Sequence, residues 1–176
     1  MTHIMLDIET LGLKPGCVVL SVAMVRFSDL ASMSIVLDRP TQCAAGLIEN
    51  QQTIDWWGRQ SVAARAAVFN NPNDTRTALA YIEQWLAWAN CEFIWCHGVG
   101  FDAPILAEVF ERFGMQCPWK YWQIRDTRTL FDLAGVSLYD FFDGERHIAL
   151  NDAECQTRAA IKALGILASR YAETLK

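Results

Sequence analysis

Residues 3–12 read HIMLDIETLG, and this stretch decides the fold. Ile4, Leu6 and Ile8 share one parity while His3, Met5, Asp7 and Glu9 share the other, the period of two that a β-strand with distinct faces requires. Leu11-Gly12 and Pro15-Gly16 supply turn chemistry, the β-branched and apolar run 18–27 reads as a second strand, and 34–37 as a short third. Such short connections join strands antiparallel, so the chain opens as a three-stranded meander without a helical crossover.

Beyond a loop expected over 40–46, the alanine-rich segment 53–69 predicts one or two short helices. Asp74 is placed to cap a helix that carries Ala78, Leu79, Ile82, Trp85, Leu86 and Ala89 at helical spacing. Residues 92–96 predict a compact strand, and 103–113 a helix with Leu106, Val109, Phe110 and Phe113 on its apolar side. Residues 126–134 read as a short helix and 135–146 as a loop. A last helical region runs from 149 or 151 towards 171, with a break expected near Gly165. Three strands, then helices, a strand and more helices define an α/β chain with a mixed sheet flanked by helices.

At 176 residues, 52% apolar and 20% charged, the chain suits one globular domain spanning 1–176 with a sizeable core, and is too apolar for disorder. Fifteen Lys plus Arg against twenty Asp plus Glu leave a net charge of −5, which excludes a protein held on nucleic acid by a generalised basic surface. No apolar run approaches the roughly 20 residues of a membrane span and no leader pattern opens the chain, so a soluble, cytoplasmic protein with no membrane partner is expected. The six cysteines lack a C-x-x-C pair, and Cys91, Cys96 and His97 are not at zinc-site spacing, which fits reduced thiols.

The chemistry lies in the acids. Asp7 and Glu9 project from the same strand face, with α-carbons roughly 6.5–7 Å apart. Carboxylates that close repel unless a cation sits between them, and a hard divalent ion takes such oxygens. An isolated D-x-E is also an ordinary solvated strand face, so it needs support elsewhere. In GFDAPIL, Asp102 stands where a strand runs out into a helix start, a place where ligands collect, although an Asp there also serves as an N-cap. In HIALNDAEC, His147 precedes Asp152 by five residues, about 140° apart on a helix. The two therefore share a site only if His147 sits in the loop leading into the helix and Asp152 on its first turns.

Taken in order, Asp7, Glu9, Asp102, His147 and Asp152 resemble the DEDDh family of 3′–5′ exonucleases, whose fold is RNase H-like. The segments MLDIETLG, TIDWWGRQS, GFDAPIL and RDTRTL look more narrowly like its compact bacterial and phage group, related to mycobacterial exoribonuclease and exonuclease VIII-like proteins. Many family members carry Asn where this chain has Gly98 in HGVGFD. The resemblance implies a mixed sheet of an antiparallel meander plus parallel strands, and two Mg²⁺ or Mn²⁺ ions held by Asp7, Glu9, Asp102 and Asp152. His147 is implied as general base in the release of nucleoside 5′-monophosphates from 3′ ends.

Single-stranded RNA or DNA 3′ ends are the implied partners, with RNA first, an exodeoxyribonuclease as the alternative and a non-catalytic binding module as the reading from another class. Small relatives are often homodimers, so a homodimer is compatible. Substrate contacts are expected at Thr10, Leu11 and Phe101 within the motifs. One of the adjacent Trp56 and Trp57 is a candidate stacking platform, and Arg125, Arg128 and Arg59 are candidate phosphate contacts. Two bound divalent ions would offset most of the −5 charge, and a site for a few terminal nucleotides needs few phosphate contacts.

Overall fold

In the computed structural model, which describes residues 1–174, a five-stranded mixed sheet has the order β3-β2-β1-β4-β5. The strands are β1 (His3–Thr10), β2 (Val19–Arg26), β3 (Ser32–Val36), β4 (Phe93–Cys96) and β5 (Ile124–Asp126). The helices are α1 (Arg39–Ala44), α2 (Gln51–Gly58), α3 (Val62–Phe69), α4 (Thr75–Trp88), α5 (Asp102–Arg112), α6 (Thr127–Ala134) and α7 (Ala149–Thr174).

β1 to β3 form the expected antiparallel meander, while β4 and β5 run parallel to β1. β1 pairs with β2 from Ile4 opposite Arg26 to Glu9 opposite Ser21, and the register then shifts between Glu9 and Thr10. Such an irregularity bends a strand locally and is common beside active sites. Against β4, β1 is paired only over His3–Met5, so its acidic end leaves the ladder on that side.

The alternation in β1 places two different cores on the two faces of the sheet. Ile4, Leu6 and Ile8 pack with Leu79, Ile82, Leu106 and Phe110 from α4 and α5. Met5 on the other parity packs with Ala23, Val25 and Trp95 beneath α6 and α7. α7 meets the sheet through Ala153, Ala159, Ala160 and Ala163, whose small side chains let the helix lie close over β1 and β2. β2 is buried from Val19 to Val25, as a strand covered on both faces should be.

Three expectations are corrected. The 40–46 loop contains α1, where Pro40 occupies the first turn behind the N-cap Asp38 and so starts a helix instead of breaking one. β5 precedes α6 and is too short, at three residues, to show an alternating pattern. Gly165 does not break α7, which is continuous, and the 135–146 loop carries a 3-10 turn at Leu138–Phe141. No helix among the described residues is long and apolar enough to cross a membrane.

Candidate active site

The acidic end of β1 lies under the first turns of α7, and five side chains from three regions of the chain meet there. Asp7 and Glu9 come from the α7-facing side of β1. Asp102 opens α5, but Phe101 holds the N-cap position and Asp102 does not cap the helix. Instead its Oδ1 accepts the Ile8 N–H at 3.2 Å. That N–H has no ladder partner because β4 pairing ends at Met5, so the carboxylate that satisfies it is drawn between the two acids of β1.

Asp152 stands on the first turns of α7 and its Oδ2 accepts the backbone N–H of His147 at 3.0 Å. His147 has φ +62, a left-handed conformation uncommon for a non-glycine residue. That turn brings the chain into α7 with the imidazole over the acids, where the ring of Trp56 meets it edge-on at 4.8 Å between centroids. Glu9, His147 and Asp152 offer ligand atoms that all lie within 4.8 Å of one another. The five residues of the resemblance thus occupy one place.

Their electrostatics are unfavourable without a counter-charge. Burial, then Asp102, Glu9 and Asp152, push the Asp7 carboxyl well above the usual carboxylate range. Glu9 is pushed up to about 8 by burial and by the Asp152 and Asp102 charges, and Asp102 to about 7 by burial. Asp152 is raised by burial as well. His147 is lowered, first by burial, which keeps its imidazole neutral at pH 7. Asp152 Oδ1, Gln156 Oε1 and the Oγ of Ser21, which lies opposite Glu9 in the ladder, are buried polar atoms without a partner among the described residues. Crowded hard oxygens, an imidazole and unsatisfied acceptors fit a divalent cation such as Mg²⁺ or Mn²⁺.

Two clefts open on this cluster. One, of about 690 Å³, lies over the carboxylates and is flanked by His97, Gly98 and Arg128. The other, of about 1000 Å³, runs past Glu9 between Thr10, Gly12, Leu13, Trp56 and Phe101. Ile8, Glu9 and Phe101 border both, so the clefts are continuous at the acids. Arg128 is exposed and makes no ion pair among the described residues. Its guanidinium carbon is 3.3 Å from where a Cβ on Gly98 would lie, and Gly98 itself has φ +111. That backbone conformation favours glycine.

The candidate substrate residues separate into those at the cleft and those away from it. Trp56 is partly exposed in the larger cleft, whereas Trp57 is 2% exposed and donates from Nε1 to the Thr10 carbonyl at 2.9 Å. Trp57 therefore supports the motif strand from the core, with no ring face free to stack on a base. Leu11 is 1% exposed and belongs to the core, and Gly12 and Leu13 border the cleft in its place. Thr10 borders the cleft, but its hydroxyl is used on the Gly12 carbonyl. Arg125 turns away from both clefts onto the Phe93 ring and donates to the Trp122 and Ile124 carbonyls. Arg59 is the C-cap of α2 and borders neither cleft.

Two residues here escaped the sequence reading. Gln156 lies one helical turn after Asp152 and donates from Nε2 to Asp7 Oδ1 at 2.8 Å. The i, i+4 spacing was the available signal, since it puts both side chains on the sheet-facing side of α7. His97 Nδ1 is 3.0 Å from the Thr127 hydroxyl, which itself donates to the Cys96 carbonyl. That geometry makes Nδ1 the protonated nitrogen and leaves Nε2 as an acceptor.

Residues 2–164 match the family described as the 3′-5′ exoribonuclease Rv2179c-like domain. A protein of Enterobacteria phage T4 named exodeoxyribonuclease is 26% identical over 161 residues, covering 73% of this chain and 70% of its own length. Among solved structures, the nuclease domain of 3′hExo, a DEDDh family member bound to rAMP, superposes with a TM-score of 0.62. It is 10% identical, with 93% of this chain and 92% of that one covered, and so bears on the fold alone: the sheet and its flanking helices are RNase H-like.

Proposed function

The chain belongs to the Rv2179c-like 3′–5′ exoribonuclease domain family, and from that membership we propose that it removes nucleotides one at a time from the 3′ end of single-stranded RNA. The observation that carries the reading is the convergence of Asp7, Glu9, Asp102, His147 and Asp152, with three of them offering ligand atoms within 4.8 Å. Two Mg²⁺ or Mn²⁺ ions would be held by the four carboxylates. Bound there, such ions supply Lewis-acid activation of water and stabilise charge on the leaving oxygen.

The protein's own groups do the rest. His147, neutral at pH 7 because burial lowers its pKa, accepts a proton from the attacking water as its oxygen bonds to phosphorus. The P–O3′ bond breaks and the departing O3′ takes a proton from solvent water, leaving a new 3′-hydroxyl on the shortened strand and a nucleoside 5′-monophosphate. The Asp152 carboxylate holds the His147 backbone, and Trp56 holds the ring, so the base does not have to be ordered during the reaction. Trp56 and Phe101 flank the larger cleft and offer aromatic surface to a terminal base. Arg128, unpaired at the rim of the smaller cleft, is placed for a phosphate oxygen. The 3′hExo nuclease domain, which shares the fold, is bound to rAMP, and that supports a ribonucleotide as the class of ligand.

DNA as substrate is the second reading, favoured by the name of the phage T4 relative. Incubating the protein with 3′- and 5′-labelled single-stranded RNA and DNA in Mg²⁺, Mn²⁺ or EDTA separates them. Mononucleotides released from the RNA 3′ end, with EDTA abolishing release, are expected. Faster release from DNA overturns the RNA assignment, and no release with either metal overturns the enzyme assignment.

A further inference from the structure

Gln156 does no work in the reaction as derived above, yet it is 4% exposed and its amide is spent on the most crowded acid of the site. A buried primary amide carries two N–H donors and a carbonyl acceptor, and each costs free energy if left without a partner. Here Nε2 donates to Asp7 Oδ1 at 2.8 Å while Oε1 has no partner among the described residues. With a cation bound Asp7 is ionised, and the reverse orientation would then put a carbonyl oxygen against a carboxylate oxygen, so the cation-bound state fixes which end of the amide faces it. Gln156 lines the same cleft as Asp7, Glu9 and Asp152, and its Oε1, like Asp152 Oδ1, is buried without a partner among the described residues.

The helix adds leverage. Asp152 and Gln156 are one turn apart on α7, and buried Ala153, Ala159, Ala160 and Ala163 hold that helix against the sheet. One rigid element therefore delivers a carboxylate to the site and, one turn later, a donor that grips a carboxylate from another element. The grip engages one oxygen of Asp7, orients its plane, and leaves Oδ2 and the second lone pair of Oδ1 for a cation. Hydrogen bonds of this kind behind metal ligands typically change affinity by about 10- to 100-fold when removed.

We propose that Gln156 is a positioning residue that presets the Asp7 carboxylate for divalent-cation binding. The proposal rests on the metal-dependent reading of the site given above. Gln156→Met keeps the length and volume of the side chain and removes the donor and the acceptor. The probe is Mn²⁺ alone, titrated into purified full-length protein by calorimetry and followed by electron paramagnetic resonance of the free ion, without substrate. Gln156→Met is expected to bind Mn²⁺ about 10-fold more weakly or worse. Its nuclease activity is expected to need correspondingly more Mn²⁺ and to recover most of kcat at saturation.

Gln156→Ala, which leaves a space but cannot clash, is expected to move in the same direction and serves if the Met variant does not fold. An unchanged Mn²⁺ affinity in a folded variant overturns the proposal. So does a loss of kcat that added Mn²⁺ does not restore, because Gln156 would then act on substrate. Failure of the unsubstituted protein itself to bind Mn²⁺ overturns the metal-site reading and this proposal with it, and is told apart from the other failures by being seen before any substitution.

Discussion

At the scale of single residues, the site works against the fold that holds it. Asp7, Glu9, Asp102 and Asp152 all have carboxyls raised by burial; Asp7 is raised further by the charges of Asp102, Glu9 and Asp152, and Glu9 by those of Asp152 and Asp102. Asp7→Asn preserves the shape and still accepts from Gln156, but removes one charge. In EDTA at pH 8 it is expected to melt higher than the unsubstituted protein by about 2–4 °C, the shift that about 1 kcal/mol produces in a protein of this size. The same variant is expected to lose nuclease activity by at least about 1000-fold, since its oxygen no longer carries the charge that holds a cation. A lower melting temperature in EDTA would contradict the crowding argument. His147→Ala is expected to slow release of mononucleotides by about 100- to 10,000-fold while leaving calorimetric Mn²⁺ binding intact, the pattern of a lost general base.

Among the elements, helix starts decide much of the geometry. Asp38 caps α1 by accepting from Thr41 N at 3.0 Å, and the same carboxylate accepts from Thr75 N at 2.9 Å at the start of α4. One side chain thus satisfies two helix termini, and Asp38→Ala is expected to cost more than an ordinary cap, about 2 kcal/mol or above, in urea unfolding. Nuclease activity per folded molecule should be unchanged, because neither helix supplies a residue to the acids. Legibility in the sequence follows the same physics. The β1 alternation, the Asp74 cap and the period of α4 were readable because each is a local pattern. α1 was not, because Pro40 looks the same in a loop and in a first turn, and β5 was not, because three residues carry no period. The acids were legible as an ordered set. Trp57 and Arg125 could not be told from Trp56 and Arg128, since only packing decides which aromatic ring is buried and which guanidinium finds an internal partner.

For the molecule as a whole, proton and metal linkage should dominate stability near neutral pH. Between about 4, where unfolded carboxylates titrate, and about 8, where Glu9 titrates when folded, the folded state binds more protons than the unfolded one. Stability of the metal-free protein is therefore expected to fall as pH rises through this window. His3, His97 and His147 have lowered pKa values and act in the opposite sense below about 6.5, but their shifts are smaller than those of Glu9 and Asp102. Urea unfolding in EDTA from pH 5 to 8 checks the sign. Mn²⁺ at about 100 times its dissociation constant should add about 2.7 kcal/mol, and its effect on the melting temperature should be larger at pH 8 than at pH 6. The arrangement of β1 and α7 has one more consequence, in the order in which the chain is made. β1, with Asp7 and Glu9, is translated well before α7, the helix that brings Asp152 and Gln156 over it, with every other element of the fold in between. At about 5–20 residues per second, a nascent chain spends seconds surrounded by ribosomal and messenger RNA with its acids uncovered and its fourth carboxylate unmade. In a partly synthesised chain the site is therefore incomplete, and it is assembled only as α7 docks.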